Sequence, residues 1–385
     1  MSVAARWFAP LLTLALLAIS CSGGQQGSSA HHAAASPEPT PDFTTAGWKT
    51  DFGKHSVPLT EILSGGPPRD AIPPLDHPKF VSPTAAGAWL KGQEPVISLG
   101  LNGEHRAYPI QILIWHEIVN DQIGDRPVTV TFCPLCNTSI VFDRRLAGQT
   151  LDFGTTGNLR HSDLVMWDRQ TESWWQQITG EAIVGELTGS KLTLLPSAIV
   201  SFEAFRRAYP EGQVLSRDTG FNRKYGENPY IGYDDANSSP LLYTGPSKDG
   251  RLPPKERVVT VSLGNEDAAY PFSVLKKKDA VNDSVGGIPV VVFWTPGTTS
   301  PLSSYDTQGP DIGSATAYSP VVDGRRLTFS GSGGTFKDDQ TGSQWDILGR
   351  AVAGPLNGRQ LDPILHGNHF WFAWAAFKPQ TRVYE

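Results

Sequence analysis

The sequence predicts an α+β fold that is rich in short strands and is built as a tandem repeat of two similar modules with short helices. Two observations lead to this prediction. Glycine (39 residues) and proline (31 residues) are plentiful in a chain of 385 residues, and they favour many turns between short strands. Segments of the first half also recur in order in the second half, which is the signature of a repeated structural unit.

The recurring segments define the module boundaries. They include Ala107-Tyr108-Pro109 with Ala269-Tyr270-Pro271, Val119-Asn120-Asp121 with Val281-Asn282-Asp283, and Gly180-Glu181-Ala182-Ile183-Val184-Gly185 with Gly349-Arg350-Ala351-Val352-Ala353-Gly354. Module 1 then spans 94–217 and module 2 spans 258–385. Residues 46–93 form an N-terminal extension, and 218–257, rich in Gly, Asn, Pro and Tyr, connect the modules.

Hydrophobic periodicity predicts the elements of module 1. The alternating stretch 96–101 precedes Asn102-Gly103, a dipeptide typical of a hairpin turn. Apolar residues at helical spacing after Pro109 predict a helix over 109–120, and 198–209 predict a second, amphipathic helix. Further strands are expected at 128–132, at 139–142 and 150–153 around a turn at Gly148, and at 164–168.

The N-terminus predicts export and membrane anchoring. Arg6 precedes an apolar run over 7–19, which is shorter than the about 20 residues of a spanning helix. Ala18-Ile19-Ser20-Cys21 resembles a bacterial lipobox, so 1–21 is interpreted as a signal peptide and Cys21 as the lipidated residue. Residues 22–45 form a flexible linker. The predicted product is a periplasmic or extracellular lipoprotein that contacts the membrane through its lipid; the alternatives are a cleaved signal peptide without lipid and an uncleaved anchor.

The charge of the chain argues against nucleic acid as a partner. The formal net charge is -6, from 32 basic and 38 acidic residues. The basic residues form no stripe along the sequence, whereas a nucleic-acid interface needs a basic patch.

Comparison of the two modules locates the candidate site. His116, Cys133 and Cys136 of module 1 align with Lys278, Thr295 and Thr298 of module 2, while the neighbouring scaffold residues are kept. The joint loss of all three is expected if they form one site. Module 1 therefore bears the predicted site, and module 2 is degenerate.

The predicted placement of these residues favours a metal. Cys133-Pro134-Leu135-Cys136 directly follows the strand 128–132, and His116 lies late in the preceding helix. Thiolates and imidazole bind copper or zinc and exclude calcium and magnesium. A histidine of module 2, His369 before His366, is a candidate fourth ligand; the alternative is a packed core histidine. Glu117 and Asp163 are candidates for outer-shell residues.

Three functions remain open from the residues alone. The first is a transition-metal site, copper ahead of zinc, in metal handling or redox. The second is a dithiol/disulfide oxidoreductase in which His116 or Glu117 assists thiolate formation. The third is a structural or interaction module with an inert disulfide. The segment after Cys136 is β-branched and turn-like, which excludes a thioredoxin fold because that fold requires a helix there. Catalytic residues, and whether the chain is an enzyme, stay open.

Several motifs together resemble one family. Trp115-His116-Glu117-Ile118-Val119-Asn120-Asp121, Phe132-Cys133-Pro134-Leu135-Cys136, Ser162-Asp163-Leu164-Val165-Met166 and Phe370-Trp371-Phe372-Ala373-Trp374 look like the family catalogued as domain of unknown function 3179. The resemblance extends over about 46–385. It implies that His116, Cys133 and Cys136 are family features, and it implies no activity or substrate.

Overall fold

Antiparallel strands dominate the computed structural model, which describes residues 40–246 and 249–385. The α-helices are short, and the longest of them contain seven residues. This agrees with the predicted β-rich α+β class. The predicted signal peptide at 1–21, the lipidation residue Cys21 and most of the linker at 22–45 lie outside the described residues.

Strands of the first half of the chain alternate with short turns. In chain order they are β1 (Ile62–Ser64), β2 (Phe80–Val81), β3 (Pro95–Leu101), β4 (Glu104–Pro109), β5 (Ile118–Ile123), β6 (Arg126–Cys133), β7 (Thr138–Asp143), β8 (Arg145–Leu146), β9 (Gln149–Thr150), β10 (Phe153–Arg160), β11 (Asp163–Asp168), β12 (Trp174–Gln176), β13 (Glu181–Val184), β14 (Thr193–Leu195), β15 (Ala198–Ser201) and β16 (Gln213–Leu215).

Strands of the second half begin after a long connection. They are β17 (Arg257–Leu263), β18 (Glu266–Pro271), β19 (Ala280–Val285), β20 (Ile288–Thr295), β21 (Ser314–Tyr318), β22 (Val321–Val322), β23 (Arg325–Arg326), β24 (Phe329–Ser332), β25 (Thr335–Asp338), β26 (Gln344–Trp345), β27 (Ala351–Ala353), β28 (His366–Phe370) and β29 (Arg382–Val383). The helices are α1 (Pro83–Ala86), α2 (Ile110–His116), α3 (Phe202–Ala208), α4 (Phe272–Leu275) and α5 (Trp371–Phe377), with a 3-10 helix at Leu59–Glu61.

Three sheets and one hairpin organise the strands of the first half. Their orders are β15-β3-β4-β16-β2, β14-β7-β6-β5 and β1-β10-β11-β12-β13, with β8-β9 as the hairpin. In the second half the orders are β28-β17-β18-β29, β19-β20-β21 and β24-β25-β26-β27, with β22-β23 as the hairpin. The last strand of each half, β16 or β29, pairs in parallel with β4 or β18.

Equivalent side-chain contacts join the sheets in both halves. Asn120 donates to the Phe153 carbonyl (2.8 Å) and accepts from the Phe153 amide (3.1 Å). Asn282 makes the same two contacts with Phe329, at 2.8 and 2.9 Å. Because each amide side chain satisfies a backbone donor and a backbone acceptor, it fixes the start of one hairpin against another sheet.

The helix predicted over 109–120 is shorter in the structure. Helix α2 ends at His116, and Glu117 follows with a φ of 59°. This left-handed conformation turns the chain, and the β-branched residues Ile118 and Val119 then pair with β6. The predicted helix is too long because the helical spacing of apolar residues continues through Ile118. Ile118 and Val119 are β-branched, however, and favour a strand.

Two other predicted elements need correction. The helix predicted over 198–209 begins only at Phe202, because 198–201 form β15 against β3 and the Ser201 side chain accepts the Ala204 amide as the helix cap. The strand predicted over 150–153 is divided between β9 and β10. The predicted hairpins at Asn102-Gly103 and Gly148, and the strands at 128–132, 139–142 and 164–168, are confirmed.

The two halves of the chain share a core where β28 packs against β7. The backbone amide of Phe370 donates to the Cys136 carbonyl at 2.9 Å. One cluster of buried side chains combines Cys133 and Cys136 with Phe370 and Trp371. Within residues 40–246 and 249–385, the structure has no helix that is long and apolar enough to cross a bilayer.

Candidate metal centre

A four-residue turn (134–137) joins β6 to β7 and carries Cys136, and Cys133 lies directly before it; residues 133–137 are called the cysteine turn. Cys133 is the last residue of β6 and pairs with Thr138, the first residue of β7. Asn137 closes the turn with a φ of 50°, and its amide donates to the Pro134 carbonyl at 3.3 Å. Both cysteines are free thiols in this structure and are 1% and 0% exposed. The turn therefore presents two sulfurs to one buried point.

Asp163 reaches the same point from the hairpin formed by β10 and β11. A turn at His161 and Ser162, with φ of 55° and 68°, reverses the chain directly before Asp163. The Asp163 side chain is fully buried. Its ligand atom and the sulfurs of Cys133 and Cys136 all lie within 4.8 Å of one another.

The hydrogen bonds of Asp163 leave one of its oxygens free of protein donors. Oδ2 accepts from the Gln176 side chain at 2.6 Å and from the Ile178 amide at 3.0 Å. Oδ1 is buried and has no partner with ordinary hydrogen-bond geometry among the described residues; the only further donor near the carboxylate is the Cys136 thiol, which lowers the pKa of Asp163 slightly against the effect of burial. A buried carboxylate oxygen without a donor is costly, and a cation ligated there would remove that cost.

The Ser162 carbonyl and the connection after β16 close the site. The Ser162 carbonyl accepts from the Cys136 thiol at 3.3 Å and from the Cys133 thiol at 3.7 Å. The Ser162 amide in turn donates to the Leu242 carbonyl at 3.1 Å. Tyr233, also from the connection, packs in the same buried cluster. The connection therefore covers the thiols and shields them from solvent.

Burial makes the acidic groups of the site hard to ionise. It raises the pKa of Asp163 to about 7, although the Ile178 amide and Gln176 oppose the shift. Burial and the nearby Asp163 carboxylate raise the pKa of Glu117 to about 8. Burial raises the pKa of Cys133 and, more strongly, that of Cys136, where the neighbouring Cys133 thiol adds to the shift. Each raised pKa means that the site disfavours the negatively charged form of the group. A bound cation would stabilise that charged form.

The donor set fits a tetrahedral metal ion. Zinc with Zn–S of about 2.3 Å and Zn–O of about 2.0–2.2 Å separates neighbouring ligand atoms by roughly 3.3–3.8 Å. The distances between the three ligand atoms of Cys133, Cys136 and Asp163 are at most 4.8 Å, which is compatible with that spacing. Two thiolates suit copper or zinc, and the carboxylate favours zinc because copper(I) prefers soft ligands. Three protein ligands leave a fourth position for water or another small ligand.

His116 lies outside this cluster. Its Nδ1 lies 2.7 Å from the Pro73 carbonyl and its Nε2 lies 2.6 Å from the Tyr225 hydroxyl. Burial lowers its pKa to about 4, and Arg223 contributes to the shift. Both ring nitrogens therefore have protein partners. The prediction that His116 joins the sulfurs fails on geometry, because α2 ends at this residue and directs the ring toward the connection.

His369 also lies outside the cluster. Its Nδ1 is 2.9 Å from the Thr138 hydroxyl, and its ring stacks on Trp374 with centroids 5.0 Å apart. This matches the alternative of a packed core histidine. Asp163, expected as an outer-shell residue, instead lies beside the sulfurs. Glu117 lies close enough to Cys133 for its carboxylate to raise the pKa of that thiol.

The corresponding region of the second half lacks every member of the cluster. Thr295 and Thr298 stand in place of the cysteines, and Thr298 pairs with the Ser314 hydroxyl at 2.6 Å. The β24-β25 hairpin turns at Gly333 and Gly334, so it is too short to carry a counterpart of Asp163. Asp163 therefore lies in a part of the β10-β11 hairpin that the shorter β24-β25 hairpin lacks, but the extra length alone does not identify it as a ligand.

Comparison with known families identifies the chain. The family described as "Protein of unknown function (DUF3179)" matches residues 69–381. The match covers most of the chain, which therefore belongs to this family, as its motifs predicted. No curated protein matches the chain. No solved structure matches it.

Proposed function

We propose that this member of the DUF3179 family binds one transition-metal ion, zinc ahead of copper, through Cys133, Cys136 and Asp163. One observation carries the proposal: the three ligand atoms lie within 4.8 Å of one another in a buried site. The unpartnered Oδ1 of Asp163 supports it independently. A bound ion would attach the cysteine turn to the β10-β11 hairpin and would leave one position for an exchangeable ligand.

A dithiol/disulfide oxidoreductase is the second candidate. The two free thiols next to each other favour it. Reactive cysteines, however, are partly exposed and have a lowered pKa. Cys133 and Cys136 are buried, and burial raises the pKa of both. Burial of both sulfurs therefore disfavours attack on an external disulfide, whereas a bound metal ion would itself stabilise the two thiolates.

We also propose that the fold is a tandem repeat in which only module 1 (94–217) retains the site. The matching strand orders of the two halves support this, as do the equivalent contacts of Asn120 and Asn282. Further support comes from two buried tyrosines: Tyr108 donates to Asp121 at 2.6 Å and Tyr270 donates to Asp283 at 2.8 Å. Module 2 (258–385) then serves as a scaffold that packs β28 behind the cysteine turn.

The proposed location is outside the cytoplasm, on a membrane. The support is the sequence before residue 40: an apolar run followed by Cys21 and a linker rich in Gly, Ser and Pro. A buried thiolate site is protected from oxidation in that compartment when a metal occupies it.

Titration with zinc tests the metal proposal. The chelator-treated full chain should take up one zinc ion, and zinc should slow the reaction of Cys133 and Cys136 with a thiol reagent in the denaturant-free protein. The Asp125→Asn variant, changed at an exposed carboxylate, should behave as the wild type. Thiols that react equally fast with and without zinc would favour the oxidoreductase instead.

A further inference from the structure

The connection between the two halves exposes two adjacent leucines, Leu241 and Leu242, with exposed fractions of 55% and 39%. Among the described residues they are the only neighbouring pair of large apolar side chains that is exposed. They lie in 236–247, a stretch without a charged side chain. Residues 240–246 are called the apolar loop. Single exposed apolar residues are normal, whereas a contiguous apolar surface indicates contact with a partner or a membrane.

Hydrogen bonds hold the backbone of the apolar loop and leave its leucine side chains facing outward. The Leu242 carbonyl accepts from the Ser162 amide at 3.1 Å, and the Leu241 carbonyl accepts from the Ser162 hydroxyl. Leu242 has a φ of 50°. A bulky residue rarely adopts this left-handed conformation, which persists only where surrounding contacts hold it. The fold therefore maintains the exposure of both leucines.

The described part of the chain begins close to the apolar loop. Asp42 forms a parallel bridge with Leu63 of β1. The carbonyl of Glu61, two residues before Leu63, accepts from the Thr244 hydroxyl at 2.7 Å. Cys21, the proposed site of the lipid, precedes Asp42 by 21 residues in the sequence. The chain that leads from Cys21 therefore enters the described fold beside the apolar loop.

An apolar cavity of about 300 Å³ extends the surface of the loop. Its lining includes Pro240, Tyr243, Pro246, Phe372, Ala375 and Pro379. The Tyr243 ring meets the Phe372 ring edge-on, with centroids 5.7 Å apart. Asp249, the one acidic residue of the lining, is paired with Arg251 at 2.6 Å. Tyrosine combines an apolar ring with a polar hydroxyl, which suits the boundary between lipid and water.

We propose that the apolar loop docks on the surface of the lipid bilayer to which Cys21 anchors the chain. This proposal rests on the membrane location proposed above. A lipid surface is favoured over a protein partner because Cys21 is attached to the fold beside the loop, and because 236–247 offer no charge for specific pairing. Leu241 and Leu242 would enter the boundary between headgroups and acyl chains, as the apolar faces of interfacial helices do.

Docking would also orient the metal centre. Ser162 binds the apolar loop through its amide and hydroxyl, and its carbonyl accepts from both the Cys133 and the Cys136 thiol. One residue therefore joins the loop to the two sulfurs. The proposed metal site would lie directly behind the surface that contacts the membrane.

Quenching of a fluorescent label by nitroxide lipids tests the docking. The lipidated full chain in phosphatidylcholine vesicles carries the label at Leu241→Cys or at Val352→Cys, which changes an exposed residue of β27. Cys133 and Cys136 are 1% and 0% exposed and escape labelling without denaturant, and mass spectrometry verifies a single label. The label at residue 241 should lose most of its fluorescence to nitroxides near the headgroups, and the label at residue 352 should lose little.

A second pair of variants tests the leucine side chain itself. Leu242→Asp should reduce the quenching of the label at residue 241, because a carboxylate disfavours the apolar boundary of the bilayer. Val321→Asp makes the same kind of change at an exposed valine of the second half and should leave the quenching unchanged. The comparison of the labels at residues 241 and 352 stands even if Leu242→Asp fails to fold.

Flotation of the vesicles separates the possible failures. A chain that floats with the vesicles while both labels are quenched equally would overturn the docking alone. A chain that does not float would overturn the docking together with the lipid anchor. Energy transfer between labels at residue 241 of different chains, without quenching by nitroxide lipids, would identify a second copy of the chain as the occupant and would also overturn the docking. Zinc binding at Cys133, Cys136 and Asp163 is measured separately and depends on none of these outcomes.

Discussion

One carboxylate oxygen of Asp163, the first residue of β11, lies within 4.8 Å of the sulfur of Cys136, which lies in the turn between β6 and β7 of another sheet. The first prediction follows from this contact. Asp163→Asn should weaken zinc binding by more than the roughly 10- to 100-fold typical of losing an outer-shell partner, because it removes an anionic ligand. Competition with a chromophoric chelator measures the affinity. Asp125→Asn is the matched control, and an unchanged affinity in Asp163→Asn would remove Asp163 from the ligand set.

His116 should be a structural residue. His116→Ala should lower the free energy of unfolding by about 2–3 kcal/mol, because two buried hydrogen bonds and the packing of the ring are lost. Zinc affinity should stay within about three-fold of the wild type, as for independent sites. Urea unfolding and zinc competition provide the two readouts. A tenfold loss of zinc affinity without a loss of stability would reinstate His116 as a ligand.

Cys133 and His116 show what the sequence could and could not predict. The cysteine turn was predictable because Cys133 directly follows a strongly apolar strand, and the internal comparison with Thr295 and Thr298 distinguished the site from the scaffold. The helix before it was predicted to continue past His116, so the imidazole ring was expected to face the cysteines. In the structure it contacts Pro73 and Tyr225 instead. The φ of Glu117, which redirects the chain, has no signature in the apolar spacing.

Asp163 and His369 required the tertiary structure. The position of Asp163 depends on the register of the β10-β11 hairpin, which contains an irregularity between Thr155 and Leu159. Local sequence does not define that register. His369 Nδ1 lies 2.9 Å from the hydroxyl of Thr138, next to the cysteine turn, and its ring stacks on Trp374. The pairing of the strands determines which way these side chains point, and the spacing of residues in the sequence alone does not.

Glu117 should make the stability of the metal-free protein depend on pH. Its pKa in the folded chain is about 8, against an ordinary value of 4.5. Below pH 4.5 the carboxyl is protonated in both the folded and the unfolded chain, so it does not reduce stability. As the pH rises toward 8, the unfolded chain loses this proton first, and the free energy of unfolding decreases. Glu117→Gln should therefore match the wild type near pH 4.5 and be more stable at pH 8, with the difference growing by at most about 1.4 kcal/mol per pH unit.

Urea unfolding in chelator, at several pH values, measures this difference. The histidine contributions are common to both proteins and cancel. Glu211→Gln, which makes the same change at an exposed glutamate, is the matched control. A stability difference for Glu117→Gln that is constant from pH 4.5 to 8 would mean that Glu117 titrates normally in the folded chain.

Cys21 should determine membrane attachment. Cys21→Ala should move the protein from the membrane fraction to the soluble fraction or block its processing, because the residue that carries the lipid is removed. Ser22→Ala, at the next position, should remain in the membrane fraction. Fractionation and the mass of the mature N-terminus are the measurements. A Cys21→Ala protein that stays membrane-bound with an unchanged N-terminus would contradict the lipoprotein proposal.

The metal content of the full chain, purified without chelator and dialysed against zinc, tests the central claim most directly. The metal proposal predicts one zinc or copper ion per chain in the wild type and its loss in Cys133→Ser/Cys136→Ser. Thr295→Ser/Thr298→Ser makes the corresponding change in the second half and should keep the ion. A wild-type chain without metal, or a Cys133→Ser/Cys136→Ser chain that retains it, would contradict the proposed site.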